Sequence, residues 1–319
     1  MKIQMNYSGV GPAAFMGRLK NYLQSHYDVK IVGTTSQASK KCSNKHGIPD
    51  LYLSSVWRGR PPKGCKTIHR ADGVYFDKNL KSGPRMNRDI WVAIQKANAV
   101  IYQSKYSMKS CRKILKVSQR NDIIIHNGFD FSLCENVIPD MAGFERTFVA
   151  GAKWRALKRP LSIANGFLKA SLPNTGLLML GAISKSDMIK HPSIKYVGKV
   201  NHSRVFQYYK GCSGIIHISR LDACPNAVVE GLAFGKPILC NNTGGTPEIV
   251  KDSGILLDID PPFTYKRFPL KNPDSVKPSI VAAGLHELLN REWNIDRQDL
   301  SMEVCAKKYY DFFQKVLEC

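Results

Sequence analysis

Residues 215–250 read IIHISRLDACPNAVVEGLAFGKPILCNNTGGTPEIV. The apolar run from Gly214 to Ile218 has the length of one buried strand. The turn Ala223-Cys224-Pro225-Asn226 follows, and Asn226 stands where it would cap a helix running to Phe234. Gly235 and Pro237 mark the stop, and Lys236 to Cys240 reads as the next strand. Strand, helix and strand in this order predict a parallel sheet with helical crossovers. In such a sheet the helix start and the loops after the strands share one edge. Unbonded N–H groups of a helix start attract an anion there, and the crevice suits a diphosphate. Asp222 precedes the helix, and Glu230 lies about one turn into it, where a carboxylate can accept hydrogen bonds from hydroxyls. The loop Asn242-Thr243-Gly244-Gly245-Thr246 reaches the same edge, and its glycines suit close backbone approach. One carboxylate on a helix is ordinarily a surface charge or a dipole partner. The whole run, not Glu230 alone, argues for a site.

The same alternation extends over the chain. Strands are predicted at Lys2–Met5, Val29–Gly33, Asp50–Val56, Lys66–His69, Ala99–Gln103 and Ile123–His126, with helices at about 12–25, 87–97 and 107–115. The pattern loosens between Pro139 and Gly143 and then restarts. At 319 residues, two domains are expected. They are placed at 1–142 and 143–300, with a closing helix over 301–319 that returns to the N-terminal domain.

Three further segments carry candidate chemistry. The turn Gly9-Val10-Gly11 lies between a strand and a helix, where backbone can approach a ligand. A nicotinamide-dinucleotide site would want a carboxylate after the second strand; that strand instead ends Gly33-Thr34-Thr35. Ala150-Gly151-Ala152-Lys153-Trp154-Arg155-Ala156-Leu157-Lys158-Arg159 follows the first strand of the second domain, and cations there can neutralise charge on a departing diphosphate. In the first domain, Lys66-Thr67-Ile68-His69-Arg70-Ala71-Asp72-Gly73 ends a strand, and His126-Asn127-Gly128-Phe129-Asp130 ends another.

Together these segments resemble the retaining family-4 glycosyltransferases, the glycosyl transferases group 1, which have the GT-B fold. The resemblance rests on Asp222, seven residues, Glu230, then Gly235-Lys236-Pro237 and Gly244-Gly245 with Glu248. It implies an α/β fold of two Rossmann-like domains facing across a cleft, the N-terminal one on the acceptor side and the C-terminal one binding a nucleotide sugar. It implies that Glu230 holds the donor ribose and that Asp222, where the family usually has Glu, lies near the donor sugar. Lys158 matches the lysine that grips the donor phosphates; the accompanying arginine falls on Lys153 by strict spacing or on Arg155 by a variant of the motif. Either His69 or Asp72 takes the place facing the donor sugar, with Asp72 favoured by register. The catalytic candidates are therefore Asp72, Lys158, Arg155 and Asp222. The donor-binding candidates are Gly9, Gly11, Lys153, Asn226, Glu230, Thr243, Gly244 and Gly245. No metal ligand and no cofactor beyond the nucleoside diphosphate sugar are assigned.

Composition narrows the classes. Lysine and arginine number 47 against 25 acids, a formal charge of +22 that fits anionic substrates, an anionic membrane surface or nucleic acid. The cations do not form an arm or tail, and zinc-finger, RNA-binding-strand and basic-zipper signatures are absent, so nucleic acid is not read as the main partner. The nine cysteines lack any Cys-x-x-Cys pair and read as reduced thiols. No apolar stretch reaches the length of a bilayer span or a signal peptide, so a cytoplasmic protein with possible peripheral membrane contact is expected. The function that the family resemblance implies is transfer of a hexosyl-type sugar, with retention and without metal, to a hydroxyl acceptor of a glycan or lipid-linked kind in glycan biosynthesis. The alternatives are a GT-B nucleotide-sugar epimerase, a phosphorylase-like enzyme, or a decayed basic binding protein.

Overall fold

The computed structural model describes residues 1–7, 10–35, 48–56, 59–118, 121–269 and 276–318. The chain divides into two compact units. The first comprises Met1–Asp130, Thr264–Leu270 and Asp299–Cys319; the second comprises Phe131–Phe263 and Lys271–Gln298. Residues 131–142, read from sequence as the end of the first domain, belong to the second unit. Asp140 explains why: its N–H donates to the Gln207 carbonyl at 3.0 Å and its carboxylate pairs with Arg204 at 2.6 Å.

The first unit alternates strand and helix: β1 (Lys2–Asn6), α1 (Val10–His26), β2 (Lys30–Thr35), β3 (Leu51–Ser55), β4 (Lys66–Ala71), α2 (Gly83–Lys96), β5 (Ala99–Tyr102), α3 (Lys105–Ile114) and β6 (Asp122–Ile124). The strands pair in parallel in the order β2-β1-β3-β4-β5-β6. The central strands are buried on both faces and read as continuous apolar runs for that reason. α2 starts at Gly83, earlier than the sequence pattern suggests, because Pro84 fits a first helical turn. Ile90 and Ile94 of α2 join Cys111 of α3 and Val100 and Tyr102 of β5 in one cluster, so both helices cover the same side of the sheet. Phe15 and Leu19 of α1 form the opposite cluster with Tyr309, Phe312 and Phe313. Those last residues lie in the closing helix of the chain, Met302–Glu318, which packs within this unit. Its fully buried aromatic side chains contribute about 1.5–3 kcal/mol each.

The second unit repeats the plan: β7 (Arg146–Gly151), α4 (Pro160–Ala170), β8 (Thr175–Leu180), β9 (Ile194–Gly198), α5 (His202–Gly211), β10 (Gly214–His217), α6 (Asn226–Ala233), β11 (Ile238–Asn241), α7 (Thr246–Val250), β12 (Gly254–Leu257) and α8 (Pro278–Asn290). The closing helix of the chain is thus α9. The parallel order is β12-β11-β10-β7-β8-β9. After β7 the chain goes to one side for β8 and β9 and then to the other for β10, which opens a crevice at the carboxyl ends of β7 and β10. Among the described residues no helix is long and apolar enough to cross a membrane.

Candidate functional site

The carboxyl ends of β7, β10, β11 and β12 bring the candidate residues of the second unit together. After β7 the chain is pinned by Trp154, whose indole N–H donates to the Leu180 carbonyl at 2.8 Å. A 3-10 turn, Ala156–Lys158, follows, with the Lys158 N–H donating to the Arg155 carbonyl at 2.8 Å. This turn carries the Lys158 ammonium to the Asp222 carboxylate, to which it donates. His217, at the end of β10, donates from Nε2 to the same Asp222 oxygen at 2.8 Å. Burial pushes the Asp222 carboxyl up, but Lys158 and the His217 hydrogen bond outweigh it and hold the group below the usual carboxylate range. Burial lowers the His217 pKa; the bond to Asp222 opposes this and the Lys158 charge adds to it. The edge thus carries an ionised Asp222 between a lysine and a neutral histidine.

Beneath this trio lies a second charged group that the sequence reading left without a role. Arg159, buried and in the left-handed region at φ 54°, donates to Asp260 at 2.5 Å and to the Ile218 carbonyl at 3.3 Å. Asp260 also receives Asn241 Nδ2 at 2.5 Å and lies 3.4 Å from Arg220 Nε. Asp258-Ile259-Asp260 has the Asp-x-Asp spacing of some metal sites. Here Asp260 serves Arg159, Arg220 and Asn241, while Asp258 accepts from Asn242 at 2.8 Å. A carboxylate whose side chain is only 3% exposed needs such partners, and that requirement is the signal that could have found it. Arg159 Nε, Ser219 Oγ, Asn241 Oδ1 and Thr246 Oγ1 are buried around this edge without a hydrogen-bond partner among the described residues.

Helix α6 departs from expectation at its start. Pro225, not Asn226, occupies the cap position, and no side chain caps the helix. Proline already has the extended entry conformation, at ψ 121°, so Asn226 becomes the first helical residue. At the other end Gly235, at φ +67°, donates to Leu232 at 3.0 Å, and Lys236 donates to Gly231 at 3.0 Å, the double closure that a left-handed glycine allows. Glu230 projects from this helix and is only 6% exposed. Its charge, after burial itself, raises the pKa of the buried Tyr209 phenol.

In the loop after β11, the Gly245 N–H donates to the Asp222 carbonyl at 2.7 Å. Gly244 has φ +82°, and a Cβ there would lie 2.6 Å from the same carbonyl oxygen. Only glycine lets the two loops meet. Thr243 Oγ accepts from Asn241 at 2.8 Å. Lys153 and Arg155 are both exposed and make no side-chain hydrogen bond or ion pair among the described residues.

The first unit has its own polar cluster. Arg70 is 1% exposed and sits 4.6 Å over the Phe15 ring. It donates to Asp72, to Asn127 at 2.5 Å, to the Tyr309 hydroxyl at 3.1 Å and to Ser55 at 3.4 Å. Gln103 also donates to Asp72. Burial raises the Asp72 pKa, against Arg70 and the Gln103 and Ser55 hydrogen bonds. His69 is buried against Ser54, 2.9 Å away, and burial with the Arg70 charge pushes its pKa down to about 3. Of the two alternatives His69 is the enclosed one, while the Asp72 side chain is 25% exposed. Gly11 lies in the first turn of α1, not in a turn before it, and a Cβ there would meet no other atom within 4 Å. Gly9 lies outside the described residues.

Residues 173–262 match the family described as glycosyl transferases group 1. No curated protein matches the chain. Among solved structures, it resembles the sucrose-phosphate synthase of Thermosynechococcus elongatus at 11% identity and a TM-score of 0.66, covering 100% of this chain and 99% of that one. Anabaena HepE in complex with UDP matches at 13% identity and TM-score 0.62, covering 99% and 100%. A putative UDP-N-acetylglucosamine 2-epimerase from Listeria monocytogenes matches at 11% and 0.63, covering 99% and 96%. At these identities the likeness is one of fold. The chain has the α/β fold of the GT-B glycosyltransferases, with two six-stranded parallel sheets, and its stretch 173–262 matches the glycosyl transferases group 1 family.

Proposed function

We propose that the protein is a retaining, metal-independent glycosyltransferase that moves a hexosyl group from a nucleoside diphosphate sugar to an acceptor hydroxyl. The observation that carries this reading is the Lys158–Asp222–His217 group at the carboxyl ends of β7 and β10, one helix start away from Glu230. In the proposed reaction the diphosphate leaves against the Lys158 ammonium and the uncapped start of α6, which stabilise its growing charge. Arg155 or Lys153 closes over it from the exposed loop. Glu230 accepts hydrogen bonds from the ribose, and the Gly244-Gly245 backbone with Thr243 borders the phosphates. Asp222 stays ionised beside the sugar. Asp72 of the first unit keeps its place among the catalytic candidates. Four unpartnered buried polar atoms near one sheet edge also favour a ligand site there.

Calorimetry with UDP, the nucleotide held by HepE, tests the donor site directly. Wild type binds, and Glu230→Ala weakens binding by about tenfold or more, the loss expected for a charge-assisted hydrogen bond. Unchanged affinity removes the ribose role. Transfer should also persist in EDTA; strict dependence on added metal contradicts the mechanism. The epimerase among the similar folds favours one second reading, a nucleotide-sugar epimerase. Sugar inversion at a carbon of the donor without any acceptor would establish it.

A further inference from the structure

The positive charge of the chain is not evenly spread once folded. Residues 78–118 hold ten cations and a single acid, Asp89, a net +9 of the chain's +22. They form α2 and α3, which lie on the same side of the first sheet and bury their apolar faces in one cluster. The opposite faces are basic: Lys81, Arg85, Arg88 and Lys96 by α2, and Lys105, Lys109 and Lys113 one turn apart along α3, are all exposed. Arg112, half-buried, turns inward and pairs with Asp122 at 2.8 Å. A distant segment adds to the face. Phe268 stacks on Phe76, and Arg267 donates to the Asp77 carbonyl at 3.0 Å, which sets Arg267 and the exposed Lys266 beside the start of α2. Two large apolar side chains stand out among these cations: Trp91, 42% exposed on α2, and Leu80 just before it.

We propose that this α2–α3 face docks the protein on an anionic lipid bilayer. Cations on two helices that cover the same side of one sheet present charge over an area, as a lipid surface does, not along a groove. An indole flanked by cations suits the headgroup level, where tryptophan is enriched. A single exposed tryptophan does not supply the succession of stacking aromatics that single-stranded nucleic acid binding uses. The inner faces of both helices stay in the core, so the contact is peripheral and mainly electrostatic. The inference is independent of the donor-site reading, because none of these side chains belongs to that site.

The test is sedimentation of the full chain with phosphatidylcholine vesicles, alone or with roughly a third phosphatidylserine, a composition with a negative surface potential. Binding is expected only to the anionic vesicles. It should collapse between about 0.1 M and about 1 M salt, as the screening length falls from about 10 Å to about 3 Å. Each cation near such a surface contributes about fivefold, so Lys105→Ser, Lys109→Ser and Lys113→Ser together should weaken binding on the order of a hundredfold. Trp91→Phe should abolish most of any lipid-induced blue shift in tryptophan emission, with the thermal melt unchanged. Equal binding to neutral vesicles, no binding to either, or tighter binding to duplex DNA than to anionic vesicles overturns the proposal. UDP affinity measured on the same variants should be unchanged, which separates this result from any failure of the donor site.

Discussion

Replacing Lys158 by alanine tests two functions of one ammonium group. In the folded protein it donates to Asp222, and the two side chains are 14% and 22% exposed. Removing one partner of a fully buried pair costs about 3–5 kcal/mol. This pair is only partly buried, and Asp222 keeps its 2.8 Å bond from His217, so a loss of about 1–3 kcal/mol is expected. A domain with about 5–15 kcal/mol of stability remains folded after that. Turnover should suffer far more. Loss of a preorganised group that meets charge in the transition state costs about 10²–10³ in kcat. Wild type and variant are to be compared by donor consumption at saturating donor and by thermal melts.

The same variant has a pH signature. In wild type the His217 pKa lies below its ordinary value, so the unfolded chain binds the proton first and stability falls as pH drops below about 6.5. Lys158→Ala removes the repulsion that adds to burial, and the pKa of His217 rises. The protonated imidazole can then pair with Asp222 in place of the ammonium. The stability gap between variant and wild type should therefore narrow as pH falls from about 7.5 to about 5.5, across the ordinary histidine range. Near-wild-type turnover refutes the phosphate role. A gap independent of pH refutes the shared use of Asp222 by Lys158 and His217.

Two further outcomes follow from buried charge. His69, at a pKa of about 3 in the fold, must gain a proton on unfolding in acid; at about pH 4.5 that costs roughly 2–3 kcal/mol, and His69→Asn should flatten the acid limb of the stability curve, as denaturant titration will show. Arg159→Gly relieves a left-handed residue, a gain of about 1 kcal/mol, but strips the buried Asp260 of its closest cation at a cost of about 3–5 kcal/mol, so a net loss of stability by denaturant titration is expected and a gain would show that the pair contributes little.

What could be read from the sequence follows from what is local. The apolar runs of β8 and β10 and the stop at Gly235 are visible within a few residues, because burial on both faces and a left-handed cap each impose residue types on the spot. The Asp222–Glu230 spacing is legible for the same reason. Arg159 and Asp260 are 101 positions apart and meet only because β7 and β12 end at the same edge of the sheet, so neither stands out in sequence. Arg70 was hidden differently. It sits between the two residues weighed for the site, His69 and Asp72, and its partners Asn127 and Tyr309 come from β6's following loop and α9. An arginine in the buried half of a strand is itself a signal, since such a charge persists only when paired. Asn226 was misplaced by one position because proline and asparagine both tolerate the entry to a helix, and local preference does not rank them here.

The carboxylates at the two sheet edges are tuned in opposite directions, and their surroundings explain it. Asp222 receives an ammonium and an imidazole on one oxygen, so interaction with its donors exceeds the cost of burial and the group stays charged. Asp72 also meets a cation, Arg70, with hydrogen bonds from Gln103 and Ser55, but there burial outweighs all three and the pKa is raised. The outcome is set by the balance of burial against the groups around each carboxylate, not by the number of donors. In the proposed reaction this separates the two aspartates. Asp222 serves as a fixed negative charge that holds Lys158 in place until a diphosphate competes for it. Asp72 of the first unit, with its pKa raised by burial, is not held in the charged form to the same degree.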